Sequence, residues 1–409
     1  MLEADKGVAA ADQRPDHRRS TFAIAAAVMA CNLADSFWSP FMPLFLITVG
    51  AKDGAEAVFW LAIATSVQGV MRLVAGPAWG ILADRVGRKA MFLRALYLTG
   101  FGIAMIAAIE NLWQLTLVYA MLGIFSGYNP ASVALTSVSV PEDQIGRSLS
   151  VVTSAQYLGN TLGPMIGAVF LVFLDYRGTI LLASLVPIIS GTVMFILVPN
   201  DRPRVKQTAG STPVAAVPLP PFRPTFQLGL AILLYFALFS ISQLMRLLTP
   251  VAIDDITDAS VKSTIGLTFT AGGLASALSL MFLAPRFYRA GQYQRVLVVS
   301  SGLAALTMVL LSLAASVPWY IVSYALFMLV HASMLPAANT LIAGNVSRER
   351  RGTAFGLAGS ASAIAFMVGP FGAAVFAGTS IPAGFLVLSG VMFAVGALLF
   401  VALREPKMG

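Results

Sequence analysis

The sequence predicts an all-α membrane protein, with twelve transmembrane helices in two six-helix bundles related by pseudo-two-fold symmetry. Three observations carry that prediction: composition, the spacing of apolar runs, and an internal repeat. Of 409 residues, 58% are hydrophobic and only 11% charged, with a mean hydropathy of +0.83. A water-soluble fold carries about 25% charged residues because its surface must be solvated. This composition argues against soluble enzymes, nucleic-acid binders and disordered regulators, and it favours a chain that uses lipid as its solvent. Its one cysteine, Cys31, excludes an internal disulfide framework and zinc-finger spacing.

About 20 apolar residues are needed to cross the hydrocarbon core. Runs of that kind fall at 20–49, 56–82, 91–109, 112–139, 148–174, 178–199, 225–251, 263–285, 295–315, 318–345, 353–378 and 382–403. The first follows Arg18 and Arg19, as a signal peptide would. It runs on to Val49, too long for a signal core, and reads as an uncleaved span in which Cys31 is a buried thiol. Between spans six and seven, residues 200–224 contain Arg202, Arg204, Lys206 and a Pro-Leu-Pro-Pro run. Such composition cannot bury a core and reads as a linker. The predicted units are a tail (1–19), a first bundle (20–199), the linker (200–224), a second bundle (225–403) and a short tail (404–409).

Basic residues mark one side of the membrane. They include Arg14, Arg18 and Arg19 before span one, Arg85, Arg88, Lys89 and Arg94 after span two, Arg147 before span five, Arg202 to Arg223 in the linker, Arg286 to Arg295 after span eight, and Arg348 to Arg351 after span ten. The other side has only Lys52, Arg177 and Lys262. Both termini are therefore expected in the cytoplasm. The net charge of +8 is accounted for by topology, not nucleic-acid affinity.

At a constant offset of 206, Trp113 meets Trp319, Pro130-Ala131 meets Pro336-Ala337, Leu135 meets Leu341, Gly146 meets Gly352, and Gly163-Pro164 meets Gly369-Pro370. Parallel repeats with a ligand site between them at mid-membrane are an established transporter architecture.

The loop after span two reads Gly76-Pro-Ala-Trp-Gly80-Ile-Leu-Ala-Asp84-Arg85-Val-Gly87-Arg88-Lys89. It resembles the loop signature of the major facilitator superfamily. Span five reads Gly159-Asn-Thr-Leu-Gly163-Pro164-Met-Ile-Gly167 and resembles the motif of that superfamily's exporters. The resemblance covers essentially the whole chain and is greatest to bacterial twelve-span drug:proton antiporters. It implies a bacterial inner-membrane multi-pass protein, acting as a monomer by alternating access, with a small-molecule substrate and protons as coupling ion. It also implies that the loop formed by Gly80, Asp84, Arg85, Gly87, Arg88 and Lys89 is a latch that closes the cytoplasmic side. Read from the residues alone, the loop is a tight turn: Gly80 permits close backbone approach, Gly87 can take a positive φ, and the cations can anchor to the anionic leaflet. The second half carries a degraded copy, with Ala284, Tyr288, Arg289 and Gly291 at the corresponding positions. In span five, Gly159, Gly163 and Gly167 form a smooth stripe that lets a helix approach, and Pro164 adds a kink.

Ionisable groups inside spans are costly, roughly 2.5 to 3.5 kcal/mol each at a helix centre. Four stand out: Asp35, Arg72, Arg246 and His331. Asp35 and Arg72 lie at similar depth, about 18 to 23 Å from the cytoplasmic side at 1.5 Å per residue. They can form a proton-coupling pair, Arg72 tuning the acid, or a static ion pair between spans one and two. Arg246 can attract an anionic substrate or snorkel, and a lone histidine such as His331 can serve packing or relay protons. Proton-coupled exporters commonly carry an arginine in span four, four residues before a glycine; here Tyr119 stands four before Gly123. Phe37, Trp38, Tyr128, Asn129, Gln156, Asn160, Gln243 and Asn339, with Arg246 and His331, are the candidate cavity lining, a mixture suited to an amphipathic organic molecule. No nucleotide-binding phosphate loop, HExxH or paired-acid motif is present, so no cofactor, metal or enzymatic chemistry is expected. The competing functions are an uptake carrier or uniporter, a transporter-like receptor and an intramembrane enzyme.

Overall fold

The computed structural model describes residues 17–140, 145–198, 225–257, 261–289, 291–346 and 351–404. The predicted linker and most of both tails lie outside them. Among the described residues the chain is helical throughout: α1 (His17–Trp38), α2 (Met42–Val49), α3 (Gly54–Val86), α4 (Arg88–Ala107), α5 (Leu112–Phe125), α6 (Tyr128–Ser139), α7 (Ile145–Phe173) and α8 (Tyr176–Leu197) precede the linker. After it come α9 (Phe226–Ile256), α10 (Val261–Leu278), α11 (Ala284–Phe287), α12 (Tyr293–Ser312), α13 (Val317–Gly344), α14 (Arg351–Thr379) and α15 (Ile381–Ala402). A 3-10 turn joins α1 to α2, and a π turn over Ser279–Leu283 joins α10 to α11. Eleven of these segments are long and apolar enough to cross a membrane.

The twelfth predicted crossing is broken. Span four divides into α5 and α6 at Ser126-Gly127, where Gly127 takes φ +119°. Neither piece reaches the length of a full span alone. The equivalent stretch of the second half, in α13, is continuous through Pro336. The glycine explains the difference, because only it adopts that backbone without a Cβ penalty, whereas its repeat counterpart is Ser333.

The termini share one end of the bundle, here called the terminal face. At the opposite, far face, acids cap helix starts: Asp53 accepts from the Glu56 amide at 2.8 Å and Asp175 from the Gly178 amide at 2.7 Å. Arg177 donates to the carbonyls of Ala107 and Ile109 at 2.9 Å each, closing the end of α4. These bonds serve the orphan groups of helix ends that lipid cannot solvate. Outward positions such as Phe173, Ile196, Phe400 and Val401 are apolar and highly exposed, as a lipid-facing belt requires.

The repeat is visible in the packing. Gly163 of α7 presses on the backbone of α1 at Leu33 and Ser36, with Gly159 against Met29 and Gly167 against Phe37. Its repeat partner Gly369 of α14 presses on Ser240 and Gln243 of α9. Each half thus closes a proline-bearing helix onto its own first helix through a glycine.

The halves meet mainly towards the far face. Gly54 abuts Val251, Gly69 abuts Met367, Gly266 abuts Ala168 and Gly273 approaches the Thr161 carbonyl. One hydrophobic core runs from the far end of the first half into the whole second half. The terminal end of the first half keeps a separate core around Ile24, Phe92, Leu96 and Leu135. Gly76, Gly80, Gly356 and Gly359, all towards the terminal face, have open space where a Cβ would stand. The contacts named here between the halves thus lie towards the far face, and none of them involves these four glycines.

A Gly163→Val substitution drives a branched side chain into the α1 backbone. It should cost about 1–3 kcal/mol and lower the thermal midpoint, while Gly76→Val leaves it unchanged; a fluorescence melt of the purified proteins distinguishes them.

Candidate functional site

Asp35 occupies the last turn of α1, about 27 Å along that helix, and Arg246 lies about 30 Å along α9, so the two reach the same depth from opposite halves. Arg72 of α3 approaches from the first half. Both arginines are within electrostatic range of Asp35. Tyr119 of α5 and Tyr128 of α6 are also within range of the Asp35 charge, and Tyr324 of α13 is within range of Arg246. One acid, two bases and three phenols from six helices thus form one electrostatic cluster.

Asp35 and Arg72 are exposed, and Arg246 is partly so. Exposure at this depth means an opening between the halves, since the outer surfaces at the same level are apolar. Among the described residues no hydrogen bond or ion pair closes on the Asp35 carboxylate; the nearby Ser39 hydroxyl donates to the Asp35 main-chain carbonyl at 2.7 Å. The static Asp35–Arg72 ion pair allowed by the sequence is not formed. Among the described residues the acid is exposed at its surface, with Arg72 and Arg246 within electrostatic range and neither closing an ion pair on it.

The predicted lining divides into two groups. Asn160 is exposed and accepts from the Ser36 hydroxyl at 2.8 Å. Gln156, Gln243, Asn129 and Asn339 are partly exposed. Asn129 forms a reciprocal amide pair with Asn32 of α1, at 2.9 and 3.2 Å, which ties the start of α6 to the first helix just below Asp35. Phe37, Trp38, Tyr128 and His331 are instead buried. Phe37 packs on the Phe170 ring, and His331 bonds the Leu238 carbonyl at 3.1 Å with its ring beside Phe327. In this structure His331 joins α13 to α9 as a packing residue.

In the loop after α3, Gly87 takes φ +104° and ends the helix by donating to the Ala83 carbonyl at 3.0 Å. The degraded copy keeps this feature: Gly291 has φ +80°. Two expectations change. Gly80 is not closely approached, and a Cβ there would meet open space. Lys89 is buried and donates to the Phe195 carbonyl at 3.0 Å, so it braces α4 against α8. Arg85 is exposed and Arg88 partly so; Asp84 lies in the last turn of α3.

The sequence model of the Major Facilitator Superfamily matches residues 22–260 and 235–409, which together span nearly the whole chain. The chain belongs to the major facilitator superfamily. It is 29% identical over 377 residues to the multidrug resistance protein MdtG of Proteus mirabilis, covering 90% of this chain and 92% of that protein. Against MdtG of Dickeya zeae the identity is 25% over 402 residues, covering 96% of each. Among solved structures, the human organic anion transporter MFSD10 superposes with a TM-score of 0.67 at 21% identity, covering 94% of this chain and all of that one. The nucleoside transporter NupG superposes at 0.70 with 14% identity, covering 93% and 98%. These two likenesses establish the fold. As a superfamily member the chain is a membrane transporter and not an enzyme.

Sequence reasoning placed Arg246 in the cavity lining, where it could attract an anionic substrate or snorkel, but did not pair it with Asp35. Counting residues from the start of its own helix places it level with the acid.

Access to the site is directly measurable. In a Cys31→Ala background, Asp35→Cys should react with a water-soluble maleimide roughly tenfold faster than Ala34→Cys, whose position is fully buried. Equal labelling rates would contradict the opening described here.

Proposed function

We propose that this transporter exports small amphipathic organic molecules across a bacterial inner membrane, with inward proton movement through Asp35 as the driving reaction. The observation that carries the reading is the placement of Asp35: an exposed carboxylate at mid-membrane, facing an arginine from each half. The multidrug-resistance names of relatives at 25–29% identity support the direction and the cargo class. The distribution of basic residues supports placing both termini, and therefore the open terminal face, in the cytoplasm. The chain operates as a monomer made of the two bundles predicted above.

Asp35 loads a proton from the side to which the cavity opens and releases it when the cavity opens to the other. An ionised carboxylate attracts Arg72 and Arg246, whereas a neutral one releases them, so protonation changes the force across the seam between halves. A ligand that binds one state better than the other shifts the population by its differential affinity. Cargo and proton exchange follow if cargo favours the ionised state. The Gly80 to Lys89 segment acts as the latch, with Gly80 providing room for the terminal ends of the halves to meet when that face closes. The Gly159, Gly163 and Gly167 stripe keeps α7 sealed on α1 through the cycle.

Proteoliposomes containing a pH dye and challenged with a panel of amphipathic drugs of each charge class test this. Cargo-dependent proton movement should occur with the wild type and vanish in Asp35→Asn. Transport with unchanged pH dependence in that variant would refute the role of Asp35. For the latch, Gly80→Val should leave thermal stability unchanged, since its Cβ meets open space here, while transport falls by roughly tenfold or more because closure is obstructed.

A further inference from the structure

A second cavity lies far from Asp35, at the far face on the seam between α7 and α10. Its volume is about 620 Å³. Leu44, Leu171 and Val172 from the first half and Val261 from the second form an apolar floor, and Asp254, Lys262 and Tyr176 stand at the rim. The Lys262 ammonium rests 4.4 Å from the centre of the Tyr176 ring, a cation–π contact that spans the two halves. Asp254, on the other side, is within electrostatic range of the Tyr176 phenol. Among the described residues neither Asp254 nor Lys262 forms an ion pair. The cavity therefore presents an acid and a base that do not neutralise one another, above an apolar trough.

Its position selects the occupant. Tyr176 opens α8, Val261 opens α10 and Asp254 lies in the last turn of α9, so the rim stands where the spans leave the hydrocarbon. Below it the floor continues onto Val172 and Phe173, which are 63% and 79% exposed. A molecule that fits carries a positive and a negative group at one end and an apolar body along the membrane. We propose that this cavity is a binding site for one zwitterionic phospholipid of the adjacent leaflet. The phosphate sits against Lys262, the headgroup ammonium against Asp254, and an acyl chain along Leu171 and Val172. Because the lipid touches both halves, its binding stabilises the arrangement in which they are joined at the far face. The site is separate from the Asp35 cluster and does not depend on proton coupling.

Native mass spectrometry of the full chain in detergent tests the assignment. Phosphatidylethanolamine and phosphatidylglycerol with matched acyl chains are added in equal amounts. Both lipids offer a phosphate to Lys262, but only phosphatidylethanolamine offers an ammonium to Asp254, and one exposed charge contact of that kind amounts to a preference of up to about fivefold. Asp254→Asn should reduce that preference to within about twofold, and Lys262→Gln should weaken retention of both lipids while keeping the preference, both positions being exposed; Lys52→Gln at the same face should change neither. Thermal midpoints equal to the wild type show that the variants are folded. Equal retention of the two lipids, or an undiminished preference in Asp254→Asn, would overturn the proposal. Competition by glycerophosphoethanolamine, which lacks acyl chains, as strong as that by the lipid would overturn the membrane lipid as occupant.

Discussion

The structure depends on how a carboxylate is kept at the middle of a membrane. An acid at that depth costs several kcal/mol on an isolated helix, and the fold meets this cost without a direct ion pair. It supplies an opening to water and two arginines at a distance, one from each half. In the proposed cycle the same arrangement makes the acid responsive. A closed ion pair would be held by geometry and resist change, but a solvated acid between separated cations alters the balance across the seam when it gains or loses a proton.

The rest of the molecule makes that response possible by keeping each half rigid. Glycine stripes seal α7 on α1 and α14 on α9, and the Asn32–Asn129 pair fixes the broken fourth span beside the acid. Arg177 and the Asp53 and Asp175 caps complete helix ends at the far face. Packed halves move as units because tight interiors are not continuously deformable. The apolar contact between them at the far face, with none at Gly76 or Gly80, defines one of the two states such a machine requires.

Much of this was legible in the sequence because lipid leaves few alternatives. Eleven spans follow from apolar length, the repeat from paired residues such as Gly163 and Gly369, and the Gly87 turn from the need for positive φ. The break in span four was not legible from hydropathy, since residues 112–139 are uniformly apolar enough; its signal was the Ser126-Gly127-Tyr128-Asn129-Pro130 run, a turn composition within an apolar stretch. The lining was only half legible. Aromatic and polar residues are compatible with both a cavity and a packed interface, and only the helix rotation shows that Asn160 is exposed while Trp38 and His331 are buried. Lys89 shows a similar ambiguity: a lysine at a helix start can reach lipid phosphate or a neighbouring carbonyl, and here it donates to the Phe195 carbonyl.

The central claim, that protonation of Asp35 controls the relation between the halves, is tested most directly by distance. Spin labels at Val86 of α3 and Leu357 of α14, both exposed towards the terminal face, report its opening in a Cys31→Ala background. Double electron–electron resonance in lipid nanodiscs at pH 5 and pH 8 should show two distance populations whose ratio changes with pH in the parent and stays constant in Asp35→Asn. A pH-dependent shift of the same size in Asp35→Asn would contradict the account.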